Sequence, residues 1–377
     1  MKMATIVGVR PQFVKAAVLS PIIRKEHKEL LIHTGQHYDD NMSAVFFREL
    51  GLPEPDYTLK GYGITIGSDR DKVEFMIQEI MPVLQKEKVD AILMYGDTNT
   101  TFAGALAANK LKIPSIHVEA GERNGLVNNP EERIRKTVDQ LSTLLLCSTN
   151  QAMNNLQTEG LGDRTHYIGN LMEISFLHNI HKPWKPSLVS LTLTRPTDQI
   201  ITIPRNYYLL TCHRQENANE RNLTEILLAM EEANCPVIFP VHSRNKEKVL
   251  QIYNSNKLRN TILTEPVGYF DSIQLIKNAE TVVTDSGGIL QEAHFAQTPY
   301  VFVMDIEKVP ETTKFDVSRL AKPEREVILK KLNQKQVFRQ QHDLLYKPAE
   351  QVLKQFERNI LDILGEFEHK ICVYSRV

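Results

Sequence analysis

Thr281-Val282-Val283-Thr284-Asp285-Ser286-Gly287-Gly288-Ile289-Leu290-Gln291-Glu292 is the stretch that decides how this chain folds. Four β-branched residues read as a strand, an acid and a serine follow, two glycines turn the backbone, and a helical pattern begins at once. A strand that runs through a glycine turn into a helix is the repeating unit of a parallel α/β sheet. Outward from this stretch the same alternation recurs along most of the chain. Strands are expected at Met3–Val9, Glu29–Thr34, Asp90–Tyr95, Ser115–Glu119, Thr143–Ser148 and His166–Ile168, with amphipathic stretches such as Phe13–Lys25, Val73–Gln85 and Thr101–Asn109 between them. A second series gives strands at Tyr207–Thr211, Val237–Pro240, Thr261–Leu263, Thr281–Thr284 and Tyr300–Val303. Between the series, Ser175–Arg205 carries Pro183, Pro186, Pro196 and Pro204 and reads as a linker with one short helix. From Pro348 to about Lys370 the tail reads as a long amphipathic helix.

Composition bounds the function. The 377 residues hold 45 Lys or Arg against 46 Asp or Glu, a net charge of -1, which argues against nucleic acid bound through bulk charge. Apolar residues are 42% and charged residues 24%, ordinary for a globular protein. One core rarely exceeds ~250–300 residues, so two doubly wound domains of similar size are expected. Cys147, Cys212, Cys235 and Cys372 lie far apart without CxxC spacing, which fits a reducing cytoplasm better than a disulfide or zinc framework. Arg10 interrupts the apolar start before it could act as a signal peptide, and no run reaches the ~18–20 apolar residues of a membrane span. A cytoplasmic location without membrane insertion is the resulting expectation.

In open parallel sheets, ligands sit beyond the carboxyl ends of the strands. There the chain places Gly8-Val9-Arg10 with Lys15, Gly96-Asp97-Thr98, Glu119-Ala120-Gly121, His213-Arg214, His242 and Asp285-Ser286-Gly287-Gly288. Ser286, Gly287 and Gly288 suit a phosphate cradle at a helix start, with Glu292 one turn on for ribose hydroxyls. A tight strand–helix turn with a capping serine would use the same residues. Neither a GxGxxG dinucleotide fingerprint nor a GK[ST] loop is present. Arg10 and Lys15 offer positive charge for phosphates or are solvated cations at a helix start. Asp97, Glu119 and Glu131 form an acidic set, and crowding of like charges can raise one carboxyl enough to act as an acid. Pro130-Glu131-Glu132 also reads as an ordinary helix N-terminus. His213 and His242 are acid–base or phosphate candidates, or satisfied structural residues. His33 and His37 have a metal-like spacing but span a strand end and a glycine, so no metal is expected.

Taken together, Gly8-Val9-Arg10-Pro11-Gln12-Phe13-Val14-Lys15, His33-Thr34-Gly35-Gln36-His37-Tyr38, Gly96-Asp97-Thr98, His117-Val118-Glu119-Ala120-Gly121, Pro130-Glu131-Glu132, Cys212-His213-Arg214-Gln215-Glu216-Asn217, Pro240-Val241-His242 and Thr284-Asp285-Ser286-Gly287-Gly288 resemble the non-hydrolysing UDP-N-acetylglucosamine 2-epimerase family, in family order over about residues 1–320. The resemblance implies two Rossmann-like domains of the glycosyltransferase type B (GT-B) architecture, divided as 1–174 and 175–361, with a tail helix of about 362–377 packing back on the first. It further implies elimination of UDP to a 2-acetamidoglucal and re-addition that interconverts UDP-GlcNAc and UDP-ManNAc, without a cofactor, in a closing cleft hinged at Ser175–Arg205. By the same resemblance Asp97, Glu119 and Glu131 are the acid–base groups and His213 assists at the phosphate. Arg10, Lys15, Arg135, His242, Ser286, Gly287 and Gly288 would hold phosphates, and Glu292 the ribose. A homodimer and a role in bacterial surface-polysaccharide synthesis are expected through the family.

The chain departs from the family pattern at Ile134, at Glu122-Arg123, at Ile289-Leu290-Gln291-Glu292, and at Tyr38-Asp39, which follow a Gln-His pair belonging to an activator site in several members. A branch acting on UDP-2,3-diacetamido uronates resembles the chain at Gly8–Phe13, Gln36–Asp39 and Asn41–Ser43. Its extra carboxylate would need a cation, for which Arg123, Arg133 and Arg135 are candidates. A hydrolysing epimerase, a glycosyltransferase and a nucleotide-sugar sensor are the remaining readings.

Overall fold

A computed structural model describes residues 1–36, 44–60, 68–123, 125, 129–192, 201–214, 216–304, 319–334, 336 and 349–374. The chain forms two α/β units, Met1–Ser175 with Tyr346–Val377, and Phe176–Leu345.

The first unit is built on β1 (Lys2–Val7), β2 (Lys28–His33), β3 (Tyr57–Thr58), β4 (Ala91–Tyr95), β5 (Ser115–Val118), β6 (Leu144–Cys147) and β7 (Thr165–Tyr167). All pair in parallel, in the order β3-β2-β1-β4-β5-β6-β7. The second unit carries β8 (Tyr208–Thr211), β9 (Val237–Pro240), β10 (Thr261–Thr264), β11 (Thr281–Thr284), β12 (Tyr300–Val303) and β13 (Leu320–Ala321) in the order β10-β9-β8-β11-β12-β13. Both orders reverse beside the first strand of the unit, between β1 and β4 and between β8 and β11. A reversal sends the two flanking connections to opposite faces of the sheet and leaves a crevice at the strand ends.

Helices on both faces explain why the strands read as nearly continuous apolar runs. Ile6, Ile32, Ile92 and Met94 pack with Met76, Ile80 and Ala103 of the covering helices in the first unit. In the second, Leu210, Phe239 and Val283 pack with Leu223, Leu227 and Val249. Each such side chain contributes about 1.5–3 kcal/mol on burial, which sets the strand pairing. Local chemistry sets the helix starts. Ser68 caps α3 (Asp69–Glu87), Thr98 caps α4 (Asn99–Leu111) and Asn129 caps α5 (Pro130–Leu141), each with its side-chain oxygen on a first-turn N–H. The helix after β1, α1, spans Arg10–Glu26, three residues longer at its start than the apolar pattern indicates, because Pro11 is tolerated in a first turn.

Observed strands lie within one or two residues of the sequence expectation, with two additions. Tyr57–Thr58 and Leu320–Ala321 are edge strands of two residues, too short to show any period. The boundary between units falls inside the helix Leu171–Asn179, so Ser175 is helical and not linker. Beyond it, Trp184 and Ser187 both donate to Asp271, each at 2.7 Å, and fasten this stretch to the second unit. Residues 193–200 of the expected linker lie outside the described residues. The tail helix runs Ala349–Tyr374 and groups throughout with the first unit, whereas the sequence assigns only about 362–377 to that half. All four cysteines are free. No helix among the described residues is long and apolar enough to cross a membrane.

Candidate active site

In the first unit, the ends of β1, β4 and β5 come together at the reversal. Gln12, on the first turn of α1, joins two of them. Its Oε1 accepts from the N–H groups of Gly8 (2.8 Å) and Val9 (3.3 Å), and its Nε2 donates to the Tyr95 carbonyl (2.8 Å), Thr98 Oγ1 (3.1 Å) and Thr101 Oγ1 (3.0 Å). Gly8 is packed so closely that a Cβ would lie 2.1 Å from Thr34 Oγ1 and 2.3 Å from Thr100 Oγ1. Sequence reasoning places Gln12 within a motif but gives it no role, since its partners are about 85 residues away in the chain.

Two ion pairs define the acidic set. Lys15, itself buried, pairs with Glu119, and Arg135 pairs with Asp97 while lying 4.0 Å from Glu132. The two carboxyls are biased in opposite directions. Burial pushes Asp97 above the usual carboxylate range, and the charges of Glu119 and Glu131 add to that effect against the pull of Arg135 and Lys15. Burial would raise Glu119 too, but the Lys15 ammonium, bonded to it, outweighs the penalty with help from Arg135 and His117, and holds it below the usual range. Glu119 also adopts φ +70, a left-handed conformation costly for a side chain with Cβ. Its N–H and that of Ala120 both donate to the Leu146 carbonyl, at 2.9 and 3.1 Å, which holds the turn in place. Glu131 stands exposed in the first turn of α5, its N–H on Asn129 Oδ1 at 2.8 Å. The helix-start reading of Glu131 is therefore correct, and its charge still bears on Asp97 and Arg135. Arg10 lies apart from these pairs, with its guanidinium carbon 4.7 Å from the Phe46 ring centroid.

The second unit repeats the plan at the ends of β8 and β11. Asp285, almost fully buried, accepts from the N–H groups of His213 (3.0 Å) and Arg214 (2.9 Å) and from Asn217 Nδ2 (3.2 Å). His213 Nδ1 lies 3.1 Å from the same carboxylate while the ring stays half-exposed. Burial opposes the Asp285 charge, but these bonds, led by His213, hold it below the usual range. His242, at the end of β9, stacks on His213 with centroids 6.2 Å apart and planes at 22°. Its Nδ1 accepts from the Arg244 N–H at 3.2 Å, so its proton sits on Nε2. Ser286 caps α11 (Gly287–Phe295), with Oγ on the Ile289 N–H at 3.4 Å. Among the described residues, a Cβ at Gly287 would meet nothing within 4 Å, and one at Gly288 only Ser286 Oγ at 3.9 Å. A helix start of this kind, with its first N–H groups beside two glycines, suits an anion. Glu292 is buried one turn further along. Sequence reasoning misses Asp285 as a site residue, although its place between strand and cap is visible there.

His33 is buried and stacked on Phe13 at 5.3 Å, and its Nδ1 accepts from the Gly35 N–H at 2.9 Å. Burial lowers its pKa to about 4. His37, Tyr38 and Asp39 lie outside the described residues. Among the described residues no group of three or more His, Cys, Asp or Glu side chains could hold a metal ion.

Comparison with known proteins places this geometry in context. Residues 22–354 match the family described as UDP-N-acetylglucosamine 2-epimerase. A UDP-N-acetylglucosamine 2-epimerase of Methanococcus maripaludis is 39% identical over 339 residues, 87% of this chain and 90% of that protein. A UDP-2,3-diacetamido-2,3-dideoxy-D-glucuronate 2-epimerase of Pseudomonas aeruginosa is 39% identical over 315 residues, 81% of this chain and 84% of that one. The crystal structure of Methanocaldococcus jannaschii UDP-GlcNAc 2-epimerase in complex with UDP-GlcNAc and UDP superposes with a TM-score of 0.77 at 32% identity, covering 97% of this chain and all of that one. Two Rossmann-like doubly wound units of the glycosyltransferase type B class, expected from the sequence, are the fold found.

Proposed function

The chain belongs to the UDP-N-acetylglucosamine 2-epimerase family, and we propose that it is a non-hydrolysing 2-epimerase of UDP-N-acetylglucosamine. One observation carries the reading: neighbouring strands end in a carboxyl biased toward its neutral form, Asp97, and a carboxylate held charged by Lys15, Glu119. Two carboxyls whose environments push them apart are the pair that inversion at a carbon needs, a base on one face and an acid on the other. In the reaction a carboxylate takes the C2 proton, the C2–H electrons form the C1=C2 bond, and the C1–O electrons leave with UDP. Return of a proton to the opposite face of C2 and of UDP to C1 completes the exchange. Glu131 adds the third acidic group. The second unit holds the departing UDP: the α11 start with Ser286, Gly287 and Gly288 receives phosphate, Glu292 the ribose, and His213, steadied by Asp285, donates to the leaving oxygens together with His242. Lys15 and Arg135 act within the acidic set, on Glu119 and Asp97.

The diacetamido glucuronate epimerase relative motivates a second reading, the same chemistry on a uronate. Two of the three cations available for a uronate carboxylate have other partners. Arg123 bonds Asp139 and Glu159, each at 2.7 Å, and Arg135 bonds Asp97. Arg133 is exposed and two positions from both Glu131 and Arg135, on another face of the helix. This favours the neutral sugar.

Incubation in deuterated water with UDP-N-acetylglucosamine, and separately with the 2,3-diacetamido glucuronate, tests both readings. The proposal expects deuterium at C2 of UDP-N-acetylglucosamine and its manno epimer, with the nucleotide retained. Accumulation of free sugar and UDP points to hydrolysis. Exchange only on the uronate selects the second reading, and no exchange on either substrate rejects both.

A further inference from the structure

His117, on β5 two residues before Glu119, is fully buried between two acceptors. Its Nδ1 is 2.7 Å from Asp139 Oδ1 and its Nε2 is 2.7 Å from the carbonyl oxygen of Gly96. A neutral imidazole has one donor and one acceptor nitrogen, so in this place it would set a ring lone pair against an oxygen lone pair. Asp139 stays an ionised acceptor, since burial that would raise it is outweighed by His117 and Arg123, so both contacts become hydrogen bonds only when each nitrogen carries a hydrogen, as in the imidazolium ion. A buried cation needs a buried partner, and Asp139 is one. Asp139 Oδ2 also accepts from the Gly121 N–H (3.1 Å) and from Arg123 (2.7 Å), whose other bonds go to Glu159 and to the Glu122 carbonyl. Two cations and two carboxylates therefore balance in this network.

We propose that the His117–Asp139 pair is the positioning device of the acid–base centre: His117, hydrogenated at both nitrogens, clamps the peptide that carries Asp97 and stands as a fixed positive charge beside Glu119. The backbone gives the clamp its purpose. Gly96 sits at φ +67 and Glu119 at φ +70, so both strands leave the sheet in left-handed turns, the second held by the Leu146 carbonyl. Gly96 N–H donates to the Val118 carbonyl at 2.9 Å, and His117 grips the other side of the same residue. Asp139 from α5 bonds the ring, Arg123 after β5 bonds Asp139, and Glu119 at the strand end feels the ring's charge, while Lys15 from α1 pairs with Glu119 and Arg135 from α5 with Asp97. Cys147 on β6, pushed up to about 12 by burial and by Asp139, stays a neutral thiol. His117 is one of the charges that keep Glu119 ionised, so losing it raises the pH at which Glu119 loses its proton.

The positioning role rests on the epimerase reading, whereas the hydrogenated ring does not, and the experiment separates the two. Nitrogen NMR on the full chain labelled in histidine, with the His117 signals identified by their loss in a folded His117→Gln, is expected to show hydrogens on both ring nitrogens in the native fold. A bare ring nitrogen there overturns the proposal. In Asp139→Asn one of those hydrogens is lost, kcat falls at least about tenfold, KM for the UDP-sugar stays within about twofold, and the acid limb of the kcat profile moves to higher pH. Unchanged kcat and an unmoved acid limb in folded Asp139→Asn overturn it as well. A wild-type chain that exchanges no C2 proton on either UDP-sugar sinks the epimerase reading and leaves the NMR result standing.

Discussion

His213 Nδ1 faces the buried carboxylate of Asp285 at 3.1 Å, and the two residues come from adjacent strands, β8 and β11, that are 72 positions apart in the chain. The carboxylate also receives the backbone N–H groups of His213 and Arg214, so one acid sets both the ring and its loop. Its position orients a histidine whose ring stays half-exposed.

Asp285→Asn and His213→Gln should each lower UDP affinity by about one to two decades, since a hydrogen bond to a charged group contributes about 1.5–3 kcal/mol. The double variant should be no worse than the poorer single one, because both changes remove one interacting unit. Calorimetric titration with UDP of the four proteins reads the coupling. Fully additive losses would mean that Asp285 does not act through His213.

Asp97→Asn, Glu119→Gln and Glu131→Gln should each reduce turnover by at least ~10²-fold, within the range of general acid–base groups. Deuterium incorporation at C2 under substrate saturation is the measurement, with circular dichroism to check the fold. Near-normal turnover in a folded variant removes that residue from the acid–base set. Glu131, the most exposed of the three, has the most to prove.

Two glycines should fail in different ways when replaced by alanine. Gly8→Ala puts a methyl group 2.1 Å from Thr34 Oγ1, so the protein should lose stability through overpacking of about 1–3 kcal/mol. Gly287→Ala meets no described residue within 4 Å and should fold normally, yet bind UDP more weakly because the added methyl occupies the space before the helix start. Ser286→Ala and Glu292→Ala should likewise act on nucleotide affinity. Thermal melts paired with UDP titrations separate the cases. A Gly287→Ala protein that binds UDP normally would move the phosphate elsewhere.

His33 should make stability depend on pH. Folded, it titrates at about 4 because burial disfavours the cation; unfolded, it returns to its ordinary 6.5. Between those values the unfolded chain holds more protons, so this contribution is full above pH 6.5 and is lost as pH falls toward 4. The loss between pH 7 and pH 5 is about 2 kcal/mol. Denaturant titrations at the two pH values should show a smaller drop for His33→Gln than for the native chain. Equal drops would mean that the ring is already charged in the fold.

Strand and helix identity, the two α/β series and the polar residues at strand ends were all legible in the sequence. Each depends on chemistry within a few residues: β-branched runs, glycine turns, capping side chains and a helical period. The Ser286-Gly287-Gly288 turn with its serine cap is of this kind, complete within one strand–turn–helix unit. Tertiary structure decided the contacts that depend on strand order. Placing β4 beside β1 and β5 brings Lys15 to Glu119, 104 residues on, and lets Gln12 bind both turns. Placing β11 beside β8 gives Asp285 to His213. The opposite biases of Asp97 and Glu119 arise there too, because a carboxyl's proton affinity depends on burial and on the charges around it, and neither is written in its neighbours along the chain.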